Sequence, residues 1–202
     1  MTKEVYIVRH GQTEYNRLGI WQGSGVDSEL NATGWKQAQS FYEYYKDIPF
    51  DLLVHSQLKR SKETLSPFLK LGIPTVERAE INEISWGRFE GKPHTEESVM
   101  EYKQVISSWE KQDYHIGFTE GESALDLSKR VGQFVDWLLE IEKQKILVCS
   151  HGRTIRALLC LMQNEELSEM EKYRHHNTGV FYAEKNHHLF KFHFFNKIDH
   201  LQ

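Results

Sequence analysis

The sequence predicts an α/β fold built on a largely parallel sheet. Three observations carry that expectation. Short, largely apolar runs at 5–8, 51–56 and 145–149 read as buried strands. Segments of helical spacing lie between them, and strands that alternate with helices belong to parallel sheets with crossover connections. Two of the runs lead into the same pair, His10-Gly11 after the first and His151-Gly152 after the third. With 202 residues the chain is expected to form one domain over 1–202, with room for a full core.

The elements follow in order. Val5-Tyr6-Ile7-Val8 runs straight into Arg9 and His10, a charged, titratable pair poorly placed for packing and well placed for chemistry. Residues 19–34 are polar and glycine-bearing without periodicity, a long loop of the functional or mobile kind. Asn31 or Thr33 stands where a cap is needed for the next helix, in which Ala38, Phe41 and Tyr45 recur at helical spacing before Asp47 and Pro49 break it. A second strand at 51–56 leads to a helix over 58–71, with Leu58, Leu65 and Leu69 for its core face and Gly72 to stop it. Residues 73–78 are a weaker strand.

Residues 81–118 are the least regular and hold Trp86, Phe89, Trp109, Tyr114 and Phe118 among many charges. Here 95–112 is expected to be helical, and about 84–120 to form an inserted lid over the site. The clearest helix is 121–143, from the broad stripe Leu125, Leu127, Val131, Phe134, Val135, Leu138 and Leu139. The strand at 145–149 and a helix from Gly152 to about Met162 come next. Alternation in 179–183 and 189–195, around Asn186-His187-His188, predicts a closing β-hairpin.

Composition narrows the function. A net charge of −4 argues against a nucleic-acid binder, whose affinity rests on a basic face. No apolar run approaches membrane-spanning length, and Met1 to Glu4 leaves no room for a signal peptide before the first strand. Cys149 and Cys160 sit in apolar segments and read as small buried hydrophobes, so no disulfide is expected and a cytoplasmic location fits. There is no His-Glu-x-x-His, no Cys-x-x-Cys and no Gly-x-x-x-x-Gly-Lys-Ser/Thr loop, so neither a catalytic metal nor a bound nucleotide triphosphate is expected. The adjacent pairs His175-His176 and His187-His188 are set aside, because neighbours in sequence rarely converge on one ion.

In open α/β sheets, sites lie just beyond the carboxyl ends of the strands. Arg9 at such an end can fork onto an oxyanion such as phosphate. His10 can be a nucleophile or an acid–base group, and Gly11 allows a close backbone approach or a sharp turn. The second His-Gly pair suggests one site built from both strands.

Five segments carry a resemblance. They are Arg9-His10-Gly11-Gln12-Thr13-Glu14-Tyr15-Asn16, Ser56-Gln57-Leu58-Lys59-Arg60-Ser61-Lys62-Glu63-Thr64, Asn82-Glu83-Ile84-Ser85-Trp86-Gly87, Gly121-Glu122-Ser123 and Ser150-His151-Gly152. In that order, over most of the chain, the set resembles the histidine phosphatase superfamily, the phosphoglycerate mutase-like proteins, and within it the phosphatases. The resemblance implies a three-layer α/β/α sandwich, mostly parallel with one antiparallel strand. It implies a metal-independent phosphomonoester hydrolase without a cofactor, acting through a phosphohistidine on a small phosphorylated metabolite.

Phosphoryl transfer needs a nucleophile, cations around the phosphoryl oxygens, an acid for the leaving group and a positioned water. By the resemblance His10 is the nucleophile, with one ring nitrogen free and the other held by a hydrogen bond to a backbone carbonyl. Arg9 and Arg60 are the cations, Arg60 near a helix start where free N–H groups favour anions. Arg17, Arg153 and Arg156 are further cations nearby. His151 is the second imidazole, expected to be charged beside a bound phosphate. The residues alone do not choose an acid among Glu80, Glu83, Glu90, Glu96 and Glu97. The family pattern selects Glu83, because its acid stands just before an aromatic-Gly pair, here Trp86-Gly87. Burial there is expected to keep Glu83 able to donate to the leaving alcohol, and the other four are expected to be exposed. Asn16, Gln22 and Gly23 are implied as amide donors near the phosphate, and Gly11 and Gly152 complete the phosphate-binding set.

The alternative is a cofactor-dependent phosphoglycerate mutase. The family's mutases carry a longer insertion after the acid, with extra basic residues. Here only residues 84–120 separate Glu83 from Gly121, with scattered cations at Arg88, Lys92, Lys103 and Lys111. The aromatics suggest a less charged or bulkier leaving group. A non-catalytic binding protein on this fold is expected to have lost His10, Arg60, Glu83 or His151, and all are present. The partner is then a small phosphomonoester, with no nucleic acid and no membrane, and the chain a monomer or homodimer. Sugar phosphates, nucleotide-pathway monophosphates and a cobalamin-pathway phosphate are all compatible with the family.

Overall fold

The structure is a computed structural model that describes residues 3–186 and 189–202, so His187 and His188 lie outside the described residues. Its strands are β1 (Glu4–Arg9), β2 (Leu52–His55), β3 (Thr75–Glu77), β4 (Lys145–Ser150), β5 (Val180–Asn186) and β6 (Leu189–Lys197). They form one sheet in the order β3-β2-β4-β1-β5-β6. β3, β2, β4 and β1 are mutually parallel, and β5 runs against both of its neighbours. The expected mostly parallel sheet with one antiparallel strand is the one observed.

Alternate residues of the central strands feed two separate cores. Val5, Ile7, Leu52, Val54, Ile146 and Val148 pack with α5 (Ala124–Glu140) and α6 (Gly152–Gln163) on one side. Val8, Leu53, Leu147, Cys149 and Val180 pack on the other, with Phe41 and Tyr45 of α2 (Ala32–Tyr45) and Leu65 and Phe68 of α3 (Lys59–Leu69). These are the three layers. Strands buried on both faces read as continuous apolar runs, and that is why they stand out in the sequence.

The helix ends follow local chemistry. Asn31 caps α2 by accepting from Gly34 N at 2.9 Å. Ser123 and Asp126 form a capping box, so α5 begins at Ala124, three residues after the start expected at 121. Thr95 and Ser98 do the same for α4 (Glu96–Glu110), the helix expected in the irregular region. A further short helix, α1 (Glu14–Leu18), follows β1 directly. The hairpin is longer than the alternation suggests, because pairing of β5 with β6 continues to Asn186 and Lys197.

Residues 84–118 join the same core as α5 and α6 through Trp86, Phe89, Val105, Ile106, Trp109 and Phe118. The long loop after α1 packs on this segment: Trp21 N donates to Lys92 O at 3.0 Å, and Trp21 Nε1 to Ser98 Oγ at 3.0 Å. Among the described residues no helix is long and apolar enough to cross a membrane. Both cysteines are buried and free.

Phe134 is fully buried in the α5 stripe. Truncation by Phe134→Ala is expected to destabilise the chain by about 3–5 kcal/mol and to lower Tm by roughly 6–20 °C, as read by thermal unfolding in circular dichroism. Trp35→Ala, on an exposed part of α2, is the control and should change stability by no more than about 0.5 kcal/mol. Equal losses at the two positions would show that the α5 stripe is not what secures this layer.

Candidate active site

The register of β1 and β4 sets Arg9 opposite Ser150, so His10 and His151 leave the sheet side by side. His10 N donates to Ser150 O at 3.0 Å, and the two imidazole centres are 5.1 Å apart. The chain then turns under Gly11, whose N–H donates to Thr64 Oγ1 of α3 at 2.9 Å. A Cβ on Gly11 would lie 2.7 Å from Gly34 O in the first turn of α2. Close approach, rather than an unusual backbone angle, is what Gly11 supplies.

His10 Nδ1 lies 2.7 Å from Gly11 O. A carbonyl only accepts, so Nδ1 carries the proton and Nε2 keeps its lone pair. Burial, then the Arg60 and Arg9 charges, hold this imidazole well below the ordinary histidine value. It is a neutral base in the tautomer that nucleophilic attack requires.

His151 is fully buried, and both of its nitrogens are engaged. Nδ1 accepts from Arg60 Nε at 3.1 Å, so the proton is on Nε2, which donates to Ser56 Oγ at 2.7 Å. Ser56 Oγ passes a hydrogen bond to Ser61 Oγ at 2.8 Å. The charged form is the one expected once a phosphate is bound; in this structure these bonds make the ring neutral. Burial and the Arg60 charge push in the same direction.

Arg60 is fully buried and gathers the long loop around itself. It donates to Val26 O at 2.6 Å and to Gly23 O at 3.2 Å. The Gln22 amide also faces it. A guanidinium has no acceptor, so the Gln22 oxygen is the atom turned to Arg60, accepting from Nη1 at 3.1 Å and sharing the Nε–H, at 2.7 Å, with His151 Nδ1. Burial lowers Arg60 to about 10, and it remains a cation at neutral pH.

Glu83 is 6% exposed, and its carboxylate sits at the start of α6. Oε2 accepts from Arg153 N at 3.3 Å, and Oε1 from Thr154 N at 3.1 Å and from Ile84 N at 3.0 Å. His151 is the residue in the N-cap position but makes no side-chain cap. A carboxylate from another segment therefore satisfies the first turn of α6, which leaves the His151 ring to the site.

Part of this constellation borders a cavity of about 510 Å³. Arg9, His10, Asn16, Gln22, Glu83 and Gly152 line it. Gly11, Gly23, Arg60 and His151 are not among its lining residues and stand behind that wall. Arg9 is distinctive: its guanidinium donates no hydrogen bond among the described residues, and its Nε is sealed from solvent. Burial lowers it to about 10 while the Glu83 charge acts to raise it, so it too stays protonated. Arg17 is not brought in; it is exposed and pairs with Glu14. Arg153 and Arg156 do line the cavity, but both are paired with Glu171, and Arg153 Nη2 also donates to Tyr102 OH at 2.6 Å. Among the described residues no group of three or more His, Cys, Asp or Glu side chains is arranged to hold a metal ion.

Three residues stand where the sequence did not put them. His175, set aside with its neighbour His176, lines the cavity with its ring against Gly152. Glu90, expected to be exposed, is half-buried: its Oε1 accepts from Trp86 N at 2.9 Å, and its carboxylate occupies the space in front of Gly23 and Gly25. Glu80 is also half-buried, paired with Arg78. Glu96 and Glu97 are exposed as expected. The only local signal for Glu90 was its place three residues after Gly87, where a turn leaves backbone N–H groups to satisfy. His175 lies in an irregular segment and carried no such signal.

Comparison with known proteins agrees with this geometry. The profile described as histidine phosphatase superfamily (branch 1) matches residues 5–198. An adenosylcobalamin/alpha-ribazole phosphatase of Escherichia coli is 31% identical over 157 residues, which cover 77% of this chain and 76% of that one. A 2,3-bisphosphoglycerate-dependent phosphoglycerate mutase of Cytophaga hutchinsonii is 31% identical, covering 80% of this chain and 77% of its own. The crystal structure of the alpha-ribazole phosphatase from Shigella flexneri superposes with a TM-score of 0.84 at 27% identity, over 96% of each chain. Fold, ordered motifs and matched profile together establish that this chain belongs to the histidine phosphatase superfamily, branch 1.

Proposed function

We propose that the chain hydrolyses a small phosphomonoester through a phosphohistidine at His10. One observation carries the reading. Arg9, a half-buried cation with no hydrogen-bond partner among the described residues, lines the same cavity as a neutral His10 whose Nε2 lone pair is free. A cation and a nucleophile left open together fit a phosphoryl group, whose oxygens take the charge while phosphorus takes the lone pair.

In the first step His10 Nε2 bonds to phosphorus and the P–O bond to the alcohol breaks. Glu83 supplies the proton to the leaving oxygen. In the second step Glu83 takes a proton from water, the water oxygen bonds to phosphorus, and the P–N bond breaks to release phosphate and restore His10. Arg9 and the Asn16 and Gln22 amides serve the phosphoryl oxygens. Arg60 and His151 back them from behind, with no metal in either step.

The segment 84–120 acts as the leaving-group wall and lid. It places Trp86, Tyr102, Val99 and His94 along the cavity, with the Trp21 ring tilted against Trp86 at 5.1 Å between centres. The mutase reading is the weaker one. Of the scattered cations in this segment only Lys103 lines the cavity, while Arg88 is paired with Glu97 and Glu101. Two buried, unpaired cysteines support a reducing, cytoplasmic setting.

Phosphate release from p-nitrophenyl phosphate in excess chelator should fall by at least about 10⁴-fold in His10→Ala, and base-stable, acid-labile labelling of the protein should disappear. Wild-type turnover surviving in His10→Ala would sink the proposal. Glu83→Gln should slow propyl phosphate by roughly 10²–10⁴-fold and the aryl ester far less, because nitrophenolate leaves without a proton. Equal losses would remove Glu83 from the acid role.

Acid should also destabilise the fold. His10, His151 and His175 are all held below the ordinary value of 6.5, chiefly by burial. Below that value the unfolded chain binds protons that the folded chain refuses, so stability present above it is lost as pH falls. Urea unfolding should show a loss of about 1 kcal/mol per buried imidazole between pH 7 and 5.5. A stability unchanged over that window would contradict the neutral assignments.

A further inference from the structure

We propose that His175 is an additional phosphoryl ligand, an imidazole that donates a hydrogen bond to a non-bridging oxygen of the bound phosphoryl group. The inference rests on the phosphatase reading and adds a residue that lies outside all five motif segments.

The segment that carries His175 is tied to the end of β1. Thr178 N donates to Arg9 O at 3.0 Å, and Arg9 N donates to Gly179 O at 3.2 Å. Asn177 Nδ2 donates to His10 O at 2.9 Å and to Asn16 Oδ1 at 3.3 Å. His175 is therefore held two residues from a contact with the nucleophile's own backbone.

Its ring turns the edge that bears both nitrogens toward the first residue of α6. A Cβ on Gly152 would lie 2.7 Å from Cε1, 3.0 Å from Nε2 and 3.4 Å from Nδ1. Gly152 thus makes room for this imidazole. Neither ring nitrogen has a hydrogen-bond partner among the described residues, and Nδ1 is sealed from solvent. Buried polar atoms nearly always have partners; with Nδ1 sealed, the unpartnered Nε2 is the nitrogen left to meet a ligand in the cavity.

The surroundings say which part of the ligand. Burial above all, and then the Arg9 charge ahead of those of Arg156 and Arg153, drives the imidazole down to about 2. A neutral imidazole keeps one N–H to give. Arg153 and Arg156 are already matched by Glu171, whereas Arg9 has no partner. Two unpartnered donors, Arg9 and His175, thus line the same cavity as the nucleophile, and the fields of both act on its ring.

The test uses inorganic phosphate as a competitive inhibitor, with p-nitrophenyl phosphate and propyl phosphate as substrates. Loss of one hydrogen bond to a charged oxygen should weaken phosphate inhibition by about 10- to 100-fold in His175→Ala. The value of kcat/KM should fall by a similar factor on both esters, because the phosphoryl group is common to them. His175→Gln, whose amide N–H reaches nearly as far, should recover most of the loss. An unchanged inhibition constant in His175→Ala overturns the proposal. A loss that differs by more than about tenfold between the esters places His175 on the leaving group and also overturns it. So does failure of the Gln variant to rescue while both variants melt with the wild type. A wild type that hydrolyses neither ester overturns the phosphatase reading, and this inference with it.

Discussion

The site depends on the carboxylate of Glu83 at the N-terminus of α6. A helix start presents free N–H groups and a positive end, and something must satisfy them. In most helices the residue before the first turn does so. Here that residue is His151, and its side chain does not cap. Glu83 accepts from Arg153 N and Thr154 N instead. One contact thereby fixes the acid–base candidate, anchors the irregular segment that follows it, and frees His151 to meet Arg60 and Ser56. Replacing it with a conventional Ser or Asp cap would satisfy the helix and dissolve the site.

The second constraint is how four buried or half-buried arginines are matched. Arg60 is satisfied by loop carbonyls and the Gln22 oxygen, so it organises the 19–34 loop more than it faces the cavity. Arg153 and Arg156 share Glu171. Of these four, Arg9 alone has no hydrogen-bond or ion-pair partner among the described residues. In a low-dielectric wall an unmatched cation is costly, and it is tolerated where an anionic ligand completes it. A chain with a net charge of −4 can therefore still bind phosphate, because the positive field is local.

Much of this was legible in the sequence. Strands buried on both faces appear as unbroken apolar runs, and a capping residue such as Asn31 marks a helix start by local chemistry. Arg9, His10 and His151 stood out because polar groups at the end of a core strand have no packing reason to be there. His175, Glu90, Glu171 and Tyr102 were not legible. Their places come from irregular segments folded back from distant parts of the chain, and no period or spacing records such contacts.

By itself the sequence determined the α/β class, the two strand ends that meet, and the residue types available for phosphoryl chemistry, because each rests on periodicity or on short ordered motifs. Only the tertiary structure decided which arginine is free, which tautomer each histidine holds, and that His175 shares the cavity with His10. Those properties depend on partners and burial, and partners exist only once β1, β4, the 19–34 loop and the 173–179 segment are brought together.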